Sequence, residues 1–139
     1  MRHVGFVATA LMVFLPLQAA AQEEQSLVVE LNAVEPAEAG CKVTFLATND
    51  LDADIDRTAL ELALFKTDGS IQRMVTLEFK ALLQAKTKVL QFQIPDLDCA
   101  DLGRVLINDI TACEGEGLGA DTCLDRLHTR ALPDFTFGV

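Results

Sequence analysis

Apolar and polar residues alternate with a period of two through most of this chain, the period of half-buried β-strands. Leu27, Val29 and Leu31 alternate with Val28, Glu30 and Asn32, which predicts a first strand. A turn over Glu35 to Gly40 leads into Cys41–Thr48, where Cys41, Val43, Phe45 and Ala47 share one face. This second strand is the one around which the others are organised. In Thr58–Lys66, Leu60, Leu62 and Leu64 take one face and Ala59, Glu61, Ala63 and Phe65 the other. Leu, Ala and Glu are also good helix formers. The following Thr67-Asp68-Gly69-Ser70 decides for a strand. Asp-Gly between two apolar runs is a hairpin signal, and a type I′ turn there needs positive φ at both central residues. Ile71–Phe79 returns with Val75, Leu77 and Phe79 alternating.

Lys80–Lys86 reads as a crossover with a helical turn around Ala81-Leu82-Leu83. Thr87–Ile94 is a strand with Leu90, Phe92 and Ile94 inward, ended by Pro95. Asp96–Leu102 is a polar connection, and Gly103–Ile110 is a strand apolar on both faces, as in the middle of a packed sheet. Asp121–Leu127 forms a short helix capped by Asp121, and Arg130–Val139 a last strand with Phe135 and Phe137 alternating. About seven strands separated by turn signals predict an all-β antiparallel sandwich with a short helix near its C-terminus.

The segment before the first strand has a different character. Met1-Arg2-His3, an apolar run from Val4 to Leu17, and Gln18-Ala19-Ala20-Ala21-Gln22 have the layout of a Sec-type signal peptide over residues 1–21. The run falls short of the ~20 residues that span a bilayer, and Pro16 breaks it. Cleavage between Ala21 and Gln22 leaves a single domain over 22–139, in the periplasm or secreted, with no membrane insertion. Without Arg2, ten basic side chains face 21 acidic ones, a net charge near −11. That surface repels phosphate backbones and anionic headgroups, which excludes nucleic acid and membrane surfaces as partners.

Cys41, Cys99, Cys113 and Cys123 are an even set in an exported domain, and they fit no Cys-x-x-Cys spacing. Cys113 and Cys123 bracket a Gly-rich segment whose ends meet easily, so we pair them, and by elimination Cys41 with Cys99. In the chain-entropy account the shorter loop contributes about 3 kcal/mol and the longer about 4 kcal/mol.

Phe45 with Asn49, then Leu62-Ala63-Leu64-Phe65-Lys66-Thr67-Asp68-Gly69, then Phe92 after a crossover, resembles bacterial FxLyD-type immunoglobulin-like domains. The resemblance covers residues 27–110 and implies an immunoglobulin-like sandwich with no activity or site. Phe65 and Lys66 stand where that pattern has Tyr and Asp. The chain also resembles exported proteins of alphaproteobacterial type.

Three constellations invite chemistry. Asp50, Asp52, Asp54 and Glu61 occupy positions 1, 3, 5 and 12 of a calcium-loop pattern, so calcium is a candidate cofactor. Position 6, which needs Gly for its sharp turn, is Ile55, and a strand beginning at Thr58 carries Glu61 away. An acidic, solvated loop is the competing reading. His128 is the one histidine after export, with only Ser26 and Ser70 as hydroxyl nucleophiles of the serine type. Neither a triad nor an acid–base pair among Asp96, Asp98 and Asp101 is indicated. The run Glu114-Gly115-Glu116-Gly117-Leu118-Gly119 lacks the Lys-Ser/Thr of a phosphate loop. Stapled by Cys113–Cys123, it is the expected interaction loop, projecting with Leu118 exposed. The function expected is a non-enzymatic binding or accessory module that recognises another envelope protein through loops or edge strands. A calcium-dependent adhesion module is the first alternative and a small hydrolase the second.

Overall fold

The computed structural model describes residues 19–20, 24–132 and 134–139. The signal peptide read over residues 1–21, with its Ala21–Gln22 bond, therefore lies outside the described residues except for Ala19 and Ala20. Strands β1 (Leu27–Ala37), β2 (Gly40–Asn49), β3 (Ile55–Lys66), β4 (Ile71–Leu82), β5 (Lys86–Pro95), β6 (Leu102–Glu114), β7 (Leu127–Ala131) and β8 (Thr136–Gly138) form the fold. A 3-10 turn at Cys99–Asp101 precedes β6, and one helix, α1 (Ala120–Asp125), follows it. The strands make two four-stranded sheets, ordered β5-β2-β1-β7 and β4-β3-β6-β8.

Their inward faces carry the residues that the alternation singles out. Leu27, Val29, Leu31, Cys41, Val43, Phe45 and Ala47 line one sheet, and Leu60, Leu62, Leu64, Leu77, Phe79, Val105, Ile107 and Ile110 the other, all buried. Phe45 sits at the centre, with ring centroids 5.5 Å from Phe79, 6.1 Å from Phe92 and 5.7 Å from Phe137. Because Phe79 and Phe137 come from the second sheet, this cluster joins the two layers. Tilted aromatic pairs at such distances add to the area they bury. Disulfides join Cys41 to Cys99 and Cys113 to Cys123, across 58 and 10 residues.

The structure departs from the sequence reading in six places. There are eight strands, not about seven, because the final stretch divides into β7 and β8, which join different sheets. Nor is the sandwich purely antiparallel: β7 runs parallel to β1 and β8 parallel to β6. β1 continues through a bulge at Asn32 and past Pro36. β7 pairs only with Leu27–Leu31, so Pro36 lies where no neighbour asks for its missing N–H.

The Ala81-Leu82-Leu83 segment is not a helical turn, since β4 extends to Leu82, buried in the core. Lys80, at φ 60°, sits where the β3–β4 register shifts. The Asp-Gly connection is not type I′, because only Gly69, at φ 89°, is left-handed there. Gly69 N donates to Lys66 O at 3.0 Å and Lys66 N to Ser70 O at 2.8 Å. That is a three-residue loop closed by a left-handed glycine. Finally, α1 is capped by Gly119 and not by Asp121, which lies inside its first turn.

Candidate functional site

One end of the sandwich gathers both loops expected to act in recognition. Residues 50–54 join β2 to β3 there, and residues 115–119 leave β6 for α1. Gly115 lies against the first loop so closely that a Cβ on it would stand 2.5 Å from Asp54 O. Only glycine permits that approach. The two loops are therefore one surface.

Asn49 organises the acidic half. Fully buried, it donates through Nδ2 to Ala53 O and Leu82 O, both at 2.9 Å, and accepts at Oδ1 from Leu51 N at 3.0 Å. Leu51 is turned into the core, while Asp50, Asp52, Asp54 and Asp56 stay exposed. Asp54 Oδ1 accepts from Gln84 N at 2.8 Å, which fixes the neighbouring β4–β5 turn. Beside it, Glu24, Asp50, Leu51, Gln84 and Ala85 line an open polar pocket of about 420 Å³.

Arg57, near the start of β3, is the cation that ties this end together. It pairs with Glu78 and, at 3.3 Å, with Glu114. The hydrogen bond donated to Glu78, then the charge of Glu78, then Glu114 hold the guanidinium above its ordinary pKa. In the stapled loop Leu118 is half-buried and packs against the core, contrary to the expectation that it projects. The exposed side chains there are Glu114 and Glu116. This end is thus a braced surface whose outward groups are mostly carboxylates.

The calcium set is not brought together. Glu61 stands six residues into β3, roughly 20 Å along the strand from its start. Its carboxylate accepts from Asn108 Nδ2 at 2.7 Å on the outer face of the second sheet. Among the described residues no group of three or more His, Cys, Asp or Glu side chains is placed to hold a metal. The hydrolytic candidates are also scattered. His128 is exposed on the edge strand β7, opposite Val28, and no hydrogen bond links it to Ser26. Ser70 lies in the β3–β4 hairpin at the far end, donating to Asp68 Oδ1 at 2.6 Å. Asp98 is engaged locally, accepting from Ala100 N at 2.9 Å to cap the 3-10 turn.

Edge strands are less available than the sequence implies. Lys88 of β5 donates through Nζ to Phe79 O and Ala81 O of the edge strand β4, both at 3.1 Å. Arg73 of β4 reaches back to Pro95 O at 2.8 Å and Asp96 O at 2.9 Å. Two cationic side chains thereby stitch β4 to β5 and occupy carbonyls that an added strand would need. No signal in the sequence marks either of them.

Compared with protein-family models, curated proteins and solved structures, the chain matches none. The two disulfides mark an oxidising compartment, extracellular or periplasmic. Among the described residues no helix is long and apolar enough to cross a membrane.

Proposed function

We propose that this chain is an exported immunoglobulin-like module of the cell envelope that works by protein recognition and not by catalysis. Export follows from the Sec-type signal read over residues 1–21, in keeping with the disulfides. The immunoglobulin-like reading draws on strand pairing. β1, β2 and β5 share one sheet while β3 and β6 share the other, as strands A, B, E and C, F do in immunoglobulin domains. β4 beside β3 stands where variable-type domains add strand C′, while the parallel β7 and β8 depart from that arrangement.

The observation that carries the recognition reading is the seating of Gly115 on Asp54, which makes one braced surface of two loops. Its exposed carboxylates, Asp50, Asp52, Glu114 and Glu116, fit a protein segment bearing lysine or arginine. Deleting residues 115–119 is not a clean test, because Leu118 packs on the core and Gly119 caps α1. A photo-crosslinking side chain at Asp52 or Glu116 is cleaner, with Gln91 on the outer face of the first sheet as control. In cells, Asp52 and Glu116 should yield one common envelope-protein adduct that the pair Asp50→Lys and Glu114→Lys abolishes. No adduct, or the same adducts from Gln91, would refute the assignment.

A further inference from the structure

The outer face of the second sheet carries an apolar cluster that no described element of the chain covers. Strand register arranges it in rows across β4, β3 and β6. Met74, Ala63 and Leu106 form one row. Ile71, Phe65 and Arg104 form the next toward the β3–β4 hairpin, and Thr76, Glu61 and Asp109 the next in the other direction. Ile71 is 55% exposed and Met74 46%, both large apolar side chains facing water.

The charges flanking this cluster indicate what covers it. Arg104 stands two residues before Leu106. Asp109 stands three after it, and Asn108 is the extra bulge residue that returns Asp109 to the same face. Both charges therefore sit about 7 Å from Leu106, in opposite directions along one strand. The Arg104 guanidinium is already oriented, 5.5 Å above the Phe65 ring. Neither Arg104 nor Asp109 enters an ion pair among the described residues.

We propose that this face is a homodimer interface, in which two copies meet about a two-fold axis lying between the faces and running across the strands through the Leu106 row. That operation sets Met74, Ala63 and Leu106 against the same residues of the second copy. It also exchanges the rows on either side, so Arg104 of each copy meets Asp109 of the other. The patch is self-complementary, as an isologous contact must be. Glu61, held by Asn108, comes opposite the Phe65 on which Arg104 lies, within reach of the same guanidinium. A partner of other sequence would have to reproduce an apolar centre with a cation on one side and an anion on the other. A second copy already has them.

Sedimentation equilibrium of the oxidised, exported chain tests this by charge exchange. The wild type should show a reversible monomer–dimer equilibrium. Met74→Glu should raise the dissociation constant by roughly a hundredfold, since it sets two carboxylates against each other across the two-fold axis. Arg104→Asp and Asp109→Arg should each raise it by roughly tenfold or more, and their combination should recover most of the loss. Circular dichroism, and a melting temperature compared at concentrations where every species is monomeric, should be unchanged in these surface variants and exclude misfolding as the cause. A wild type monomeric at all concentrations, a dimer indifferent to Met74→Glu, or a double variant no tighter than the singles would each overturn the proposal. Asp52→Lys and Glu116→Lys, at the loop end, should leave the dimer intact, so failure here and failure of the recognition surface are read separately.

Discussion

Asn49 offers the sharpest test of how this molecule is held together. Its side chain is wholly buried and makes three hydrogen bonds, two to carbonyls of Ala53 and Leu82 and one from the amide of Leu51. Asn49→Ala leaves those three backbone groups without partners. A buried, unsatisfied group costs about 1–3 kcal/mol, and the groups nearest the loop regain water. We therefore expect a loss of about 2–4 kcal/mol, large against the 5–15 kcal/mol that a domain of this size typically has. Asn49→Asp keeps the shape but replaces a donor with an oxygen aimed at two carbonyls.

The aspartate variant also gives a sign that no packing defect imitates. Burial and the facing carbonyls favour the neutral acid, so its folded pKa rises above the unfolded value of about 3.9. Between those two pKa values the native state binds a proton that the unfolded chain has released. The stability of the variant, measured relative to wild type, therefore falls as pH rises through that window. The assay is urea unfolding followed by far-ultraviolet circular dichroism, since the chain has no Trp or Tyr to report by fluorescence. Asn49→Asp should lose least near pH 4, where the neutral acid's one O–H still serves one of the two carbonyls, and be the worse of the two variants at pH 7. A deficit independent of pH, or an alanine cost below about 1 kcal/mol, would refute the account of Asn49 as the clamp of this end.

Millimolar calcium or chelator should move the melting temperature by less than about 1 °C, because Glu61 is too far along β3 to complete a site; a rise of several degrees would mean a ligand stabilising the fold. Asp68 is held below the usual carboxylate range by the Ser70 hydroxyl and then its amide, so Ser70→Ala should raise its pKa in a carboxyl NMR titration, and an unmoved value would discount the hydroxyl. The lowered pKa gives the hairpin a contribution present above the unfolded pKa and lost as pH falls through the folded one, and the variant should lose part of it. Gly40→Ala would put a Cβ 2.0 Å from Ile94 O, so urea unfolding should show a cost of about 2 kcal/mol or more, and a neutral result would mean that β2 and β5 part easily.

The two sheets were legible wherever side chains alternate without interruption. Cys41, Val43, Phe45 and Ala47, and again Leu60, Leu62 and Leu64, name their own buried faces because a strand has only two. What the pattern concealed are the points where that period slips. Asn32 and Asn108 are extra residues without a partner and Lys80 sits at a shift of register, and nothing in the composition marks any of them. The parallel partners were equally hidden, because β7 and β8 are five and three residues long and meet strands far from them in sequence. At the site, linear spacing misled. Asp50 to Glu61 matches a ligand loop on paper, but a strand begins in its middle. Leu118 seemed a projecting contact because nothing in a Gly-rich run shows that it folds back on the core.

The closures of the sandwich bear on where partners bind. An open sheet edge offers unpaired amides and carbonyls to any passing strand. On one lateral side Lys88 and Arg73 fill such carbonyls with cations from the facing sheet. On the other side the chain uses itself: β7 covers the first half of β1, and β8 covers the first few residues of β6. One C-terminal segment thus leaves one sheet and crosses to the other, and pairs in parallel with both. With the sides largely occupied, the two surfaces proposed above remain open for association. One is the charged loop end proposed as the recognition surface, whose carboxylates stand on a frame held by Asn49, Arg57 and a disulfide. The other is the proposed dimer face, where Arg104 and Asp109, in no ion pair among the described residues, are spaced for each other's copies. The first suits an unlike partner and the second a like one, so the fold can support both without competition.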